Sequence, residues 1–208
     1  VSYHGKNRAR GAVRWFSEKD EQAVFDAAMK SGSEGSFDIR AMDYPIKAQE
    51  TEYVEFCFSR EDILAQGVPD VEKLSIIGFE PIIDDDAKAM VHHLIIRGSP
   101  NTNDGQSQNC AGNSGIFGRE QAYGWATGEG PMAFADNLGT PFGGVNGFQS
   151  FILETHYNNP DRVPGVVDSS GIRFYYTTQQ REFDVGILPL GDPLFNLNGL
   201  SIQSGLSS

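Results

Sequence analysis

Short apolar runs separated by turn residues dominate this sequence and restrict its fold more than any other feature. Glycine and proline occur 24 and 10 times in 208 residues, between runs rich in β-branched and aromatic side chains. Runs of this kind, without alternating helices, favour antiparallel strands over a parallel sheet. They lie at residues 37–42, 51–58, 74–83, 89–97, 148–157, 172–178 and 183–190. The sequence therefore predicts an all-β antiparallel sandwich. Alternate residues should form its core in the runs at 37–42, 89–97, 148–157 and 172–178.

A helical pattern precedes the first predicted strand. Ser17, which is followed by acidic residues, predicts an N-cap and a first turn that complements the helix dipole. Val24, Ala27 and Ala28 predict the apolar stripe of this helix. Gly32 predicts its end, because glycine readily terminates helices.

A further short helix and a long connection complete the predicted outline. The helix is expected over residues 60–66, between an N-cap at Ser59 and a stop at Gly67. The stretch from Gly98 to Ser150 is rich in Gly and Asn and contains twelve of the glycines. Such a long connection inside a compact domain is more often functional than incidental.

Charge and hydropathy restrict the partners of the chain. Sixteen Lys and Arg against 28 Asp and Glu give a net charge of −12, which disfavours nonspecific binding to nucleic acid or to an anionic membrane surface. No stretch approaches about eighteen consecutive apolar residues, so no membrane span is predicted. The N-terminal segment is basic instead, and it could dock on an acidic partner or form a solvated tail. Its cationic residues are Lys6, Arg8, Arg10 and Arg14.

Three of the four histidines can meet on neighbouring strands. His92 and His93 are adjacent in one predicted strand, and His156 lies in another. Imidazole suits copper and zinc equally. Strand neighbours point to opposite faces, so a site that uses both members of the pair requires a twisted or bulged strand, and it can require different ring nitrogens. His4 is not expected to take part, because chelation with a terminal amine commonly uses the first or third position. The residue pattern alone leaves two alternatives open. One is a metal site, and in the other one imidazole of the adjacent pair faces the core, its neighbour faces solvent and His156 is half-buried.

The chain contains two cysteines, Cys57 and Cys110. Isolated thiols in a reducing compartment are usually buried and inert. In an oxidising compartment the same two residues would form one disulfide. The residues alone leave both alternatives open.

Five motifs occur in a fixed order along the chain. They are VHHL at 91–94, WATGEG at 125–130, LETHYNNP at 153–160, DSSGIR at 168–173 and FDVGIL at 183–188. Together they resemble the N-terminal domain of the copper type II, ascorbate-dependent monooxygenases, from roughly Phe37 to the C-terminus. The resemblance implies a jelly-roll-like antiparallel β-sandwich that holds a copper ion.

The resemblance also implies which residues do the chemistry. The copper ligands match His92, His93 and His156, and this copper is usually assigned to electron transfer, with ascorbate as the reductant. Cys57 and Cys110 lie near family disulfide positions, although the spacing from Tyr53 to Cys57 departs from the usual Tyr-x-Cys. A disulfide implies the secretory pathway, the extracellular space or an organelle lumen.

The resemblance divides the chain into three parts. Residues 1–36 are expected to be an N-terminal extension with a short helix, 37–191 the copper-binding sandwich, and 192–208 a linker and the start of a second domain. In the family, the second domain binds oxygen and substrate at another copper. No histidine follows His156 in this sequence, so we expect no hydroxylation by this chain alone.

Three further interpretations accompany this prediction. Glu154, two residues before His156, is expected either to orient a ligand imidazole or to be a solvated acid. The sandwich could instead be a non-catalytic structural or interaction subunit of a larger assembly. The least favoured alternative is a zinc hydrolase or hydratase, in which three histidines leave a fourth position for an activated water.

Overall fold

The computed structural model describes residues 18–100 and 120–188. Two helices and twelve strands form in this part of the chain. The helices are α1 (Glu18–Gly32) and α2 (Arg60–Leu64). The strands are β1 (Gly35–Arg40), β2 (Tyr44–Pro45), β3 (Thr51–Phe58), β4 (Lys73–Ile82), β5 (Val91–Ser99), β6 (Glu120–Ala126), β7 (Met132–Ala133), β8 (Leu138–Gly143), β9 (Ser150–Asn158), β10 (Val167–Asp168), β11 (Gly171–Thr177) and β12 (Phe183–Asp184).

The longer strands form two sheets. One sheet has the order β1-β11-β4-β8-β12, with β7 also paired to β4, and the other has the order β3-β9-β5-β6. Strands β2 and β10 form a separate two-stranded ribbon. Neighbours are antiparallel except for the short parallel pair of β12 and β8. The predicted all-β sandwich with two short helices near the N-terminus is therefore confirmed.

Aromatic rings join the two sheets. Phe37 of β1 stacks on Phe174 of β11 with ring centroids 5.0 Å apart, and it meets Phe151 of β9 in the opposite sheet at 6.2 Å. All three rings are buried, and burying a side chain of this size stabilises a fold by about 1.5–3 kcal/mol. The four strands expected to build the core do so with Phe37, Ile39, Ala41, Val91, Leu94, Ile96, Phe151, Leu153, Tyr157, Ile172, Phe174 and Tyr176.

Helix α1 packs on the sandwich through a different stripe from the one predicted. Phe25 and Met29, four residues apart and therefore on one helix face, are buried against Ile77 of β4. Val24 is 61% exposed, and Ala27 is exposed as well. Of the stripe expected from Val24, Ala27 and Ala28, Ala28 is half-buried against this cluster. The prediction was wrong for Val24 and Ala27, because Phe25 and Met29 offer more apolar surface to bury.

Helix α2 begins as its cap predicts and ends earlier than expected. The hydroxyl of Ser59 accepts a hydrogen bond from the backbone N–H of Asp62, whose carboxylate accepts from the N–H of Ser59 in return. Ile63 anchors the helix in the core. The chain then turns through Gly67, which adopts a φ of +91°, a value that L side chains rarely reach.

The prediction of a long connection between residues 98 and 150 was wrong, because this stretch contains β6, β7 and β8. Its glycines suggested loops, yet some are required inside the sheet. A Cβ atom at Gly139 of β8 would lie 2.8 Å from the Cβ of Ser75 on β4. Of the strand predicted over residues 183–190, the described residues 183–188 form only the two residues of β12. Neither described helix has the length and apolar content that crossing a membrane requires.

Candidate metal centre

A β-bulge brings the adjacent histidines to one face of the four-stranded sheet. Val91 of β5 pairs with Tyr157 of β9, and the next pair is His93 with His156. His92 is the extra residue of this bulge. In a regular strand His93 would follow Val91 to the core side. The bulge instead leaves His92 exposed and His93 half-buried, both outside the core.

The three imidazoles converge through the same ring nitrogen. The Nδ1 atom of His93 lies 3.1 Å from Nδ1 of His92 and 3.2 Å from Nδ1 of His156. The candidate ligand atoms of the three residues all lie within 4.8 Å of one another. Sequence reasoning left open different ring nitrogens for the adjacent pair, whereas the structure turns Nδ1 of both inward.

This geometry suits a cation better than a set of hydrogen bonds. A neutral imidazole nitrogen carries either one proton or one lone pair, so His93 Nδ1 cannot make two linear hydrogen bonds at once. Bonds of about 2.0 Å from a metal ion to imidazole hold ligand nitrogens about 3–4 Å apart. Three lone pairs directed at one ion would account for both contacts of His93. The donor set and its spacing therefore fit a metal ion.

The surroundings favour the neutral imidazoles that metal binding requires. Burial lowers the pKa of His156 below 6.5, and the neighbouring His93 and His92 lower that pKa further. Burial and then the neighbouring His92 likewise lower the pKa of His93. Glu154 opposes both shifts without reversing them. The unprotonated, lone-pair-bearing form is thus favoured at neutral pH.

A tight turn fixes the bulge from the side of β6. The backbone N–H and the hydroxyl of Thr127 both donate to the carbonyl of His92, at 3.3 and 3.2 Å. The turn closes with a hydrogen bond from the N–H of Glu129 to the carbonyl of Ala126. Gly128 adopts a φ of +95° at the third position of this turn, as a type II turn requires. The WATGEG motif thus supports the backbone that carries His92.

Residues of the LETHYNNP and DSSGIR motifs support the strand that carries His156. Tyr157, the next residue on β9, donates to the buried carboxylate of Asp168 at 2.7 Å. The side chain of Asn159, also buried, donates to the carbonyl of Val163 and accepts from its N–H, both at 2.9 Å. The residues after His156 are therefore part of the scaffold.

Tyr53 contacts the cluster, and sequence reasoning missed it. It lies opposite His156 in the pairing of β3 with β9, and the two rings stack with centroids 4.3 Å apart and planes at 7°. Tyr53 is nevertheless 61% exposed. The sequence drew attention to Tyr53 only through its spacing to Cys57. The contact with His156 was not predictable, because it depends on the register between β3 and β9.

Glu154 uses its carboxylate in an ion pair. Nη1 of Arg97 donates to Oε2 of Glu154 at 2.8 Å and reaches Glu55 at 3.5 Å. Glu55 and Glu154 face each other on adjacent strands. Their like charges would repel each other there if the guanidinium of Arg97 did not lie near both. The structure thus shows a role for Glu154 that differs from both expected ones, that of a half-buried acid paired with Arg97.

Several predicted features lie outside the described residues. Cys57 lies on β3, whereas its predicted partner Cys110 falls in the undescribed stretch between residues 100 and 120. His4 and the basic N-terminal segment also fall outside, as does the predicted linker at 192–208. The predicted disulfide and the predicted domain bounds stay predictions.

Comparison with known proteins finds relatives of this chain among the copper monooxygenases. The chain matches the family model "Copper type II ascorbate-dependent monooxygenase, N-terminal domain" over residues 37–164, which include all three histidines. Dopamine beta-hydroxylase of Equus caballus is 32% identical over 163 residues, covering 75% of this chain and 26% of the relative. DBH-like monooxygenase protein 1 of Gallus gallus is 27% identical over 198 residues, covering 91% of this chain and 30% of the relative. The chain thus spans between a quarter and a third of the length of these two relatives.

Proposed function

The chain belongs to the copper type II ascorbate-dependent monooxygenase family, whose N-terminal domain it matches. We therefore propose that His92, His93 and His156 bind one copper ion. The convergence of their Nδ1 atoms at 3.1 and 3.2 Å is the observation that carries this proposal. Imidazole nitrogen is a ligand that copper accepts readily. The cluster contains no thiolate or carboxylate among the residues that the structure describes.

The proposed role of the site is electron transfer. Copper bound to three imidazoles supplies one-electron chemistry between its two common oxidation states. The protein contributes ligands on paired strands, which hold their positions better than loops do. The exposed ring of His92 leaves one side of the site open to solvent, where a reductant such as ascorbate can approach.

The proposed reaction of the whole protein is C–H hydroxylation with O₂. Since the chain spans only 26% of dopamine beta-hydroxylase, oxygen and substrate are assigned to a second domain outside this sequence. The chain alone is then expected to bind copper and exchange electrons without hydroxylating. Its substrate is not assigned, because the substrate would contact mainly the other domain.

A disulfide between Cys57 and Cys110 is proposed to stabilise the domain. The absence of free thiols among the described residues supports this pairing. The corresponding location is an oxidising compartment, either in the secretory pathway, outside the cell or in an organelle lumen.

Copper analysis after equilibrium dialysis tests the ligand assignment. Wild type should retain about one copper per chain, and alanine at any of the three cluster positions should lower the affinity strongly, since two imidazoles hold the ion poorly. His4→Ala is the matched control and should bind as wild type does. A wild type that retains no copper, or a His4→Ala variant that loses as much as His156→Ala, would show that the assignment is wrong.

A further inference from the structure

Tyr53 stacks on His156, and the proposed function gives this contact no role. Tyr53 stands on β3, which is an edge strand of its sheet. The residue is 61% exposed, so core packing does not hold its ring over the imidazole. The two rings are nevertheless nearly parallel, with planes at 7° and centroids 4.3 Å apart.

His156 lacks the usual device that orients a ligand imidazole. A metal-binding histidine almost always donates its second ring N–H to a carboxylate, a carbonyl or a water. Nε2 of His156 is buried, and no residue in the described part of the chain hydrogen-bonds to it. The nearby carboxylate of Glu154 is already paired with Arg97. No hydrogen bond from Nε2 to a described residue therefore orients this ring.

We propose that Tyr53 is a positioning residue whose ring holds the imidazole of His156 with Nδ1 directed at His92 and His93. This inference rests on the proposed copper site and adds a determinant of its affinity. A stacked ring restricts rotation of the imidazole about its bond to Cβ. Stacking requires the aromatic face of Tyr53 and does not require its hydroxyl group.

Three variants separate the ring from the hydroxyl and from the strand. Tyr53→Leu removes the stack and keeps an apolar side chain, whereas Tyr53→Phe keeps the stack. Thr51→Ala, two residues earlier on the same exposed strand face, is the matched control. Competition with a chromophoric Cu(I) chelator should show affinity lower by about 10- to 100-fold in Tyr53→Leu, the range typical of lost partners of ligand histidines. Tyr53→Phe and Thr51→Ala should bind as wild type does.

Spectra of the loaded protein report on the ligand geometry directly. The electron paramagnetic resonance spectrum of the Cu(II) form should broaden or shift in Tyr53→Leu and match wild type in Tyr53→Phe. A merely structural role for Tyr53 would alter the unfolding temperature without this spectral change. Equal affinity and equal spectra in wild type and Tyr53→Leu would overturn the proposal, as would a Tyr53→Phe variant that behaves like Tyr53→Leu.

The metal-free protein supplies a second measurement. NMR signals of the His156 imidazole should show an upfield ring-current shift in wild type and Tyr53→Phe, and should lose it and broaden in Tyr53→Leu. If wild type bound no copper, the proposed function would fail, and these signals would decide the inference alone. Unchanged His156 signals in Tyr53→Leu would reject it. If Tyr53→Leu did not fold, the same comparison with Tyr53→Met would decide.

Discussion

His93 lies directly opposite His156 in the ladder between β5 and β9, and the residue before it has no partner there. This one-residue offset lets two consecutive histidines share a face of the sheet with a third. The carbonyl of the unpaired residue, His92, accepts two hydrogen bonds from Thr127. The convergence of the ring nitrogens therefore depends on the bulge in the backbone.

Removing the hydroxyl of Thr127 should loosen this bulge. Thr127→Val keeps the shape and the backbone donor but loses the hydrogen bond to the His92 carbonyl, which should lower the free energy of unfolding by about 1 kcal/mol. Copper affinity should fall as well, because His92 is held less firmly. Urea unfolding and copper competition measure the two effects. Thr127→Ser keeps the hydroxyl and should resemble wild type; a Thr127→Val variant with unchanged copper affinity would contradict this role of the turn.

Acid should release copper together with the stability that copper adds. The lowered pKa values of His93 and His156 mean that the folded protein binds fewer protons than the unfolded chain. Their contribution to stability is thus complete above about pH 6.5 and is lost as the pH falls towards their lowered pKa values. Copper adds to this dependence, since protons compete for the same nitrogens. Melting temperatures of the copper-loaded and copper-free protein should converge on acidification. A constant difference between them would argue against histidine ligands.

Much of the fold could be predicted because the strands that build the core have clear alternation. β3 was predicted over its full length, and the core strands β5 and β9 lay within a few residues of their observed bounds. β6 and β8 were missed because their glycines, such as Gly124 and Gly139, resemble turn residues in sequence. At Gly139 the missing Cβ permits the close approach of β4.

The candidate site was predictable in composition and less so in geometry. The three histidines were identified from motifs, and the need for a bulge followed from the period of a strand. The choice of Nδ1 and the stack of Tyr53 on His156 were not predictable. Both depend on the register between strands that are distant in sequence, which local patterns do not determine.

The buried pair of Tyr157 and Asp168 should contribute more to stability than a similar pair at the surface. Asp168 is fully buried, and it accepts from the Tyr157 hydroxyl at 2.7 Å. Tyr157→Phe removes this donor from a carboxylate that water cannot reach, so we expect a loss of about 1.5–3 kcal/mol in the free energy of unfolding. Tyr175→Phe is the matched control, because its hydroxyl donates to the half-buried Glu80 at 2.6 Å. Chemical denaturation of both variants should show the larger loss in Tyr157→Phe; an equal or smaller loss would contradict the importance of burial.

The proposed disulfide gives the last prediction. In the chain-entropy model, closing the loop from Cys57 to Cys110 stabilises the fold by about 4 kcal/mol. Thiol titration of the unfolded, unreduced protein should find no free thiol. The double variant with serine at both positions should unfold at lower denaturant concentration and still bind copper, because neither cysteine belongs to the histidine cluster. Adding reductant to wild type should lower its stability to that of the double variant, and adding it to the double variant should change nothing. Two titratable thiols in the unreduced protein would contradict both the bridge and the oxidising compartment proposed from it.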